Sequence, residues 1–395
     1  MQDWSGARAV VVGGSIGGLT TALLLRRLGF DVSVYERTPD DLDGRGGGIA
    51  MHPETLRWFT ECSERHPEQV STSTHHVQYL DRGDAVVHTE PLAWTFTSWG
   101  TFHRALLADF GTDRYHLGEC ATGFDQDADG AEVVFASGRR ERADLVVFAD
   151  GVTSTSRRRF TSTAELEYAG YVGWRGTLPE SQLSEGTFRR LHDAITYSFA
   201  PHTHLVAYPI PSPDGGLAVG RRLMNFVWYR NVAPGDLAEL MTDRNGDVAA
   251  VSLHPGAVQD RFVDEMRTAA SELLAPSVAE LVLRTEHPFL QAVYDVGVDR
   301  MAVGRVALLG DAATTARPHA AAGTAKAAAD AWALHDALRA SGSVAEALGK
   351  WEPEQLELGR RLLTRSRAMG TRSQVDCTWE PSDPQNRFGL HGPAW

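Results

Sequence analysis

Two glycine-rich segments lie near opposite ends of this 395-residue chain, one at Val11–Thr20 and one running from Gly304 to Ala331, GRVALLGDAATTARPHAAAGTAKAAADA. One such loop says only that a nucleotide can bind. Two that grip the same ligand from opposite ends require the chain to return on itself and close a cleft. The length suits about two domains, enough chain to frame such a cleft.

The first segment follows Ala9-Val10-Val11-Val12, a short apolar run expected for a strand buried on both faces. It enters Gly13-Gly14-Ser15-Ile16-Gly17-Gly18, and the following LTTALLLRRLGF fits a helix ending near Gly29. Strand, glycine turn and helix aim backbone N–H groups, those of Ser15 and Ile16 among them, and a positive dipole end at one point. A pyrophosphate can sit there. In G-x-G-x-x-G register Gly13 and Gly18 fit, and Ser15 replaces the middle glycine. The next strand, DVSVYER, ends in Glu36, about 20 residues on, where an acidic residue accepts ribose hydroxyls. Arg37 beside it can pack on an adenine or reach a phosphate. To this point NAD and FAD are equally possible.

Three further segments favour FAD. DLDGRGGGIAMHP reads either as a surface linker or as backbone lying against a flat ring system, with Gly48 in that backbone and Arg45 available for a phosphate or ribose. Leu145–Ala149 reads as a second buried strand ending in Asp150-Gly151, with Ser154 and Arg157 beyond it. That places a carboxylate at a sheet's C-terminal edge, where open α/β sheets bind ligands. Val306–Leu309 reads as a strand leading to Asp311, suited to a ribityl hydroxyl, with Pro318 stiffening the loop. From Gly323 the alanine-rich run is strongly helical, and its N-terminus would stabilise the negative edge of a reduced flavin. Arg104, in FHRALLADF, is expected at a helix start and gains weight only from these neighbours.

Taken together, the glycine loop, Glu36, Arg104, Asp150-Gly151-x-x-Ser154-x-x-Arg157 and Gly310-Asp311 with Pro318 resemble the single-component FAD-dependent aromatic hydroxylases of the 4-hydroxybenzoate-hydroxylase type, over nearly the whole chain. YAGYVGWRGTLPE, YPIP and FVWYRN are most similar to the hydroxypyridine-acting branch. Two departures stand out: Ser15, and Ala321-Ala322-Gly323 where many relatives have Gly-Gln-Gly. The resemblance implies an α/β fold. It has a Rossmann-like FAD-binding domain (GR2-type) made of residues 1–75, 99–165 and 294–376, and a mixed β-sheet substrate domain of 76–98 and 166–293. A C-terminal helix, expected to break near Pro353, and a 377–395 tail complete it. It also implies NADH or NADPH as a transient electron donor, O₂ as co-substrate, and ring hydroxylation through a C4a-hydroperoxyflavin. The substrate would be an electron-rich ring such as 2,6-dihydroxypyridine, or else a phenolic or polyketide aromatic. A homodimer is a family habit.

Such chemistry needs a base or proton path and a dry pocket. His319 after Pro318 is the first candidate for proton handling, with an orienting hydrogen-bonder as the alternative role; His52, after the glycine-rich loop, is the second. Tyr208, Phe226 and Trp228 are expected to line the substrate chamber, with Asn225 and Tyr229 replacing the last two if the strand parity is reversed. Composition excludes other classes. The net charge of −13 argues against nucleic acid, no apolar run reaches the ~20 residues of a membrane span, and three scattered cysteines make neither a disulfide framework nor a metal site. A cytoplasmic location is therefore expected. A flavin halogenase would bring a W-x-W-x-x-P loop, which is missing, and an NAD dehydrogenase leaves the Asp150 and Asp311 segments unexplained. A non-catalytic flavin- or ligand-binding protein shares every motif and is separated only by turnover.

Overall fold

The computed structural model describes residues 4–40, 42, 47–161 and 164–393. Arg45 lies outside the described residues. The first sheet has six strands in the order Ala302–Val303, Val306–Leu308, Leu145–Phe148, Arg8–Val12, Asp31–Tyr35 and Tyr115–His116. All pairs are parallel except that of the edge strand Ala302–Val303. The apolar runs read as strands are thus neighbours, with Val12 opposite Phe148 and Phe148 opposite Leu308. That register brings the glycine turn, the Asp150 turn and the Asp311 turn to one sheet edge. The helices Ile16–Arg27 and Gly323–Arg339 pack on each other beside this sheet. The Ala121–Gln126, Ala131–Phe135 and Arg140–Ala143 strands form the expected meander.

The second sheet is mixed and ten-stranded. Its main order is Ser252–Leu253, Phe289–Gly297, Glu167–Pro179, Leu223–Asn231, Thr203–Ile210, Ala194–Ala200, Thr72–Leu80, Val86–Ser98 and Gly48–Ala50. Thr72–Leu80 runs across the expected domain boundary at 75/76, and Gly48–Ala50 leaves the cofactor segment to edge this sheet. Helices Asp260–Leu273 and Pro276–Arg284 cover one face through an apolar core that includes Phe226, Trp228 and Met266. The opposite face carries Tyr171, Tyr197, Tyr208 and Tyr229.

The C-terminal helix differs from expectation. It runs unbroken from Val344 to Gln374 with Pro353 inside it. Proline removes the bond to the carbonyl four residues back, here that of Gly349. Packing on both sides outweighs that loss, since Leu348 and Trp351 are buried before it and Leu358 and Leu362 after it. The Trp351 indole N–H also donates to the Asp330 carbonyl at 2.9 Å. No helix among the described residues is long and apolar enough to cross a membrane.

Candidate active site

Gly13 sits at φ +107°, and a Cβ there would lie 2.2 Å from the Ala149 carbonyl oxygen. A Cβ at Gly18 would lie 1.9 Å from the Gly13 oxygen. Only glycine allows this junction: Gly13 is limited by the neighbouring strand's backbone and Gly18 by that of its own turn. The Glu36 carboxylate braces the turn, accepting from the Gly14 N–H at 2.8 Å and from the Thr38 N–H at 3.0 Å. Each oxygen retains a lone pair for a further donor. Arg37 Nη1 donates to the Thr153 hydroxyl at 2.8 Å, which ties the second strand to the Asp150 turn.

Arg157 joins the two aspartate turns. Its Nε donates to the Ala312 carbonyl at 2.7 Å and its Nη2 to the Val152 carbonyl at 2.7 Å. Asp150 Oδ1 is buried without a partner among the described residues, and burial raises this carboxyl above its ordinary range. Asp311 is open to the cavity but ringed by protein. Desolvation pushes it up to about 6, against the pull of Lys326 and Arg157. Beneath it Lys326 and Asp330 form a fully buried pair, Nζ lying 2.7 Å from both carboxylate oxygens, and Asp330 accepts the Gly310 N–H at 2.9 Å. The pair locks the Gly310 turn to the helix that follows.

These turns open onto one cavity of about 510 Å³. Ser15, Ile16, Gly48, Asp311, Pro318 and Gly323 line it. Ala321 is left-handed at φ +52°, so the backbone kinks there, and Ala322 then caps the helix. Tyr197, His204, Tyr208, Tyr229, His319 and Trp379 form an aromatic cage in the same wall. Tyr208 stacks on Phe96 at 4.1 Å between centroids, and burial pushes its hydroxyl up to about 12. His204 is buried and driven down to about 3 by desolvation. His319 is held well below the usual histidine range by burial, with help from His204 and Arg317.

Several expected positions need correction. Phe226 and Trp228 are fully buried on the helix-covered face and do not line the cavity. Alternation along the strand puts Val227 and Tyr229 on the cavity side instead. His52 is not at the ring cavity. It caps the helix Pro53–Glu61 and its Nε2 donates to the Ala321 carbonyl at 2.9 Å, so it holds the kinked loop from behind. Arg104 sits within the helix Trp99–Phe110, whose cap is Ser98, and its Nη2 donates to the Pro213 carbonyl at 3.2 Å.

Other residues escaped the sequence reading. Arg175 lines the cavity with Nε buried and unpartnered among the described residues. His204 shares the parity of Tyr208, a signal that was available once Tyr208 was chosen. Trp379 and Phe388 come from the tail, where no periodicity pointed to them. Asn225, expected only under the reversed parity, accepts the Gly48 N–H at 2.9 Å and so joins the second sheet to the glycine-rich strand. No group of three or more metal-ligating side chains occurs among the described residues.

Comparison with known proteins gives two family models, an FAD binding domain-like model over residues 168–295 and an NAD(P)-binding Rossmann-like model over 11–50. The chain is 39% identical to the 2,6-dihydroxypyridine 3-monooxygenase of Paenarthrobacter nicotinovorans, over 97% of this chain and 96% of that protein. The solved 2,6-dihydroxypyridine-3-hydroxylase from Arthrobacter nicotinovorans superposes with a TM-score of 0.93 at 38% identity, covering 99% of this chain and 98% of that one. The HpxO protein of Klebsiella pneumoniae, solved with FAD and uric acid, shares the fold with a TM-score of 0.77 at 22% identity, over 94% and 90% of the two chains.

Proposed function

Because the chain belongs to the FAD-dependent monooxygenases that hydroxylate aromatic rings, we propose that it acts on a hydroxypyridine, with 2,6-dihydroxypyridine as the leading substrate. The observation that carries this reading is the continuous cavity running from the nucleotide turns to the aromatic cage. The full-length relative that acts on 2,6-dihydroxypyridine supports the choice of ring.

The residues present fit FAD. A side chain at Gly13, Gly14 or Gly18 would clash with its surroundings, and Ser15 and Ile16 between them line the cavity. The unpartnered Asp150 oxygen and the carboxyl of Asp311 lie at the same edge. In this reading Ser15 and Ile16 hold the pyrophosphate, Glu36 a ribose, Asp311 the ribityl chain, and the amides from Ala322 onward the ring's polar edge. The Gly48 backbone would lie along the ring, and its lack of a side chain is required by Tyr208, whose ring a Cβ would strike. Bound FAD supplies hydride acceptance from NADH or NADPH, O₂ activation and delivery of one oxygen atom. The protein's part is to hold the substrate ring flat between Tyr208, Tyr229 and His319 and to keep water out. The unpartnered Arg175 Nε favours a ring that binds as an anion, the more nucleophilic form.

Arg175 also gives a specific reason to keep a phenolic or polyketide ring bearing a carboxylate as the second reading. The test is direct. The purified protein should be yellow, and 2,6-dihydroxypyridine should stimulate NADH or NADPH oxidation while one atom of ¹⁸O₂ enters the product. Colourless protein that ignores added FAD would defeat the cofactor assignment. Stimulation by carboxylated phenols and by no hydroxypyridine would replace the first substrate reading with the second.

A further inference from the structure

The chain Asp295–Arg317–Tyr171–His319 fixes the tautomer of the cavity histidine, a point the cavity lining alone does not reveal. Asp295 is fully buried, and its Oδ2 accepts from Arg317 Nε at 3.0 Å and from Arg367 Nε at 2.9 Å. The anchored Arg317 lies against Tyr171, its guanidinium carbon 5.7 Å from the ring centroid. Gly370 makes room for this meeting, since a Cβ there would lie 2.6 Å from the Tyr171 hydroxyl and 3.1 Å from Arg317 Nη1. The Tyr171 hydroxyl is in turn 2.7 Å from His319 Nε2.

A guanidinium only donates. It offers the Tyr171 hydroxyl proton no acceptor, whereas His319 Nε2 lies 2.7 Å away, so the hydroxyl donates to Nε2. Burial keeps Tyr171 protonated and His319 neutral, so one proton remains on the imidazole, at Nδ1. Nδ1 is buried with no partner among the described residues, in a side chain 5% exposed that lines the cavity. The ionisable neighbours of His319 are Tyr171, Tyr229, His204 and Arg317. None of them is a carboxylate that could take the Nδ1 proton.

We propose that His319 binds the substrate as a hydrogen-bond donor, its Nδ1–H meeting an exocyclic oxygen of the hydroxypyridine, with Tyr171 and Arg317 as positioning residues that set its tautomer. The proposal rests on the ring-hydroxylase reading above and deepens it. It assigns recognition, not proton abstraction, to His319. The class of ligand follows: a planar ring carrying an anionic or carbonyl oxygen beside the carbon to be oxidised.

The test uses oxidised, FAD-loaded enzyme without NAD(P)H, titrated with 2,6-dihydroxypyridine and followed by the flavin absorbance change. His319→Leu should weaken Kd by roughly tenfold to a hundredfold, the range for a hydrogen bond to a charged group. His319→Asn, whose amide nitrogen takes the place of Nδ1, should recover most of that loss. Tyr171→Phe should weaken Kd severalfold at unchanged FAD content, because the tautomer is no longer fixed. If His319→Leu keeps its Kd while kcat falls and an ionisation vanishes from the pH profile, His319 is a base and the proposal is wrong. If His319→Asn binds as poorly as the leucine variant, the side chain acts by packing and the proposal also fails. A wild-type enzyme that responds only to another hydroxylated ring defeats the hydroxypyridine reading. The same three variants titrated with that ring then decide the donor role.

Discussion

Ala321 adopts a left-handed backbone that costs an L-residue about 1–2 kcal/mol. His52 holds the carbonyl of that residue. Ala321→Gly should stabilise the protein by about 0.5–1 kcal/mol, the strain relief being partly offset by the freer unfolded chain. His52→Leu should lower FAD affinity by roughly tenfold through the orphaned carbonyl, and combining it with Ala321→Gly should soften that loss. Flavin fluorescence on release reads both. Asp311 behaves differently. Its folded pKa is raised to about 6 from an ordinary value of 3.8, so the apo-protein loses stability as pH rises between those values. Asp311→Asn should raise the apo melting temperature by a few degrees at pH 7.5 and leave it unchanged near pH 4, while weakening FAD binding. An apo melting curve insensitive to this substitution at pH 7.5 would show that the carboxyl is not destabilised. Glycine turns and aspartate turns were legible in the sequence because each follows an apolar strand and carries its glycine or aspartate within a short motif. The role of His52 was not, because its partner Ala321 comes from the far end of the chain.

Strands were legible as elements, but their orientation was obscure where both faces are covered. The strand Leu223–Asn231 is buried at six consecutive positions, so its sequence carries no alternation from which to choose a face. That is why Phe226 and Trp228 were expected in the cavity and Tyr229 is found there. The helix Val344–Gln374 defied the local rule for proline because its packing reaches both sheets. Two glycines let it approach. A Cβ at Gly359 would lie 2.5 Å from the Thr314 hydroxyl oxygen, and Gly370 faces Tyr171 and Arg317. Gly359→Ala should therefore cost about 1–3 kcal/mol despite its better helix propensity. Thr314→Ala in the same chain should recover part of that loss in a denaturant melt. A fully neutral Gly359→Ala would mean that the helix can shift outward without penalty.

The whole molecule is built around a cleft whose walls come from distant stretches of chain, so the cofactor should act as a structural element as well as a reagent. At a hundredfold excess over its Kd, FAD adds about 2.7 kcal/mol of stability. For a chain of this size that corresponds to a rise in Tm of roughly 3 °C, growing with FAD concentration, in a melt followed by tryptophan fluorescence. A Tm independent of added FAD would contradict the cleft as the binding site. The crossing strands also bear on the order of events during synthesis. Gly48–Ala50 edges a sheet that also needs Phe289–Gly297 and Thr314–Thr315, and the cleft closes on residues from Gly310 to Gly323. A nascent chain that has emerged as far as its first glycine turn therefore displays half a grip and nothing to close against. Loading with flavin is an event of the finished polypeptide, and a cell short of FAD would accumulate full-length chains with an open seam.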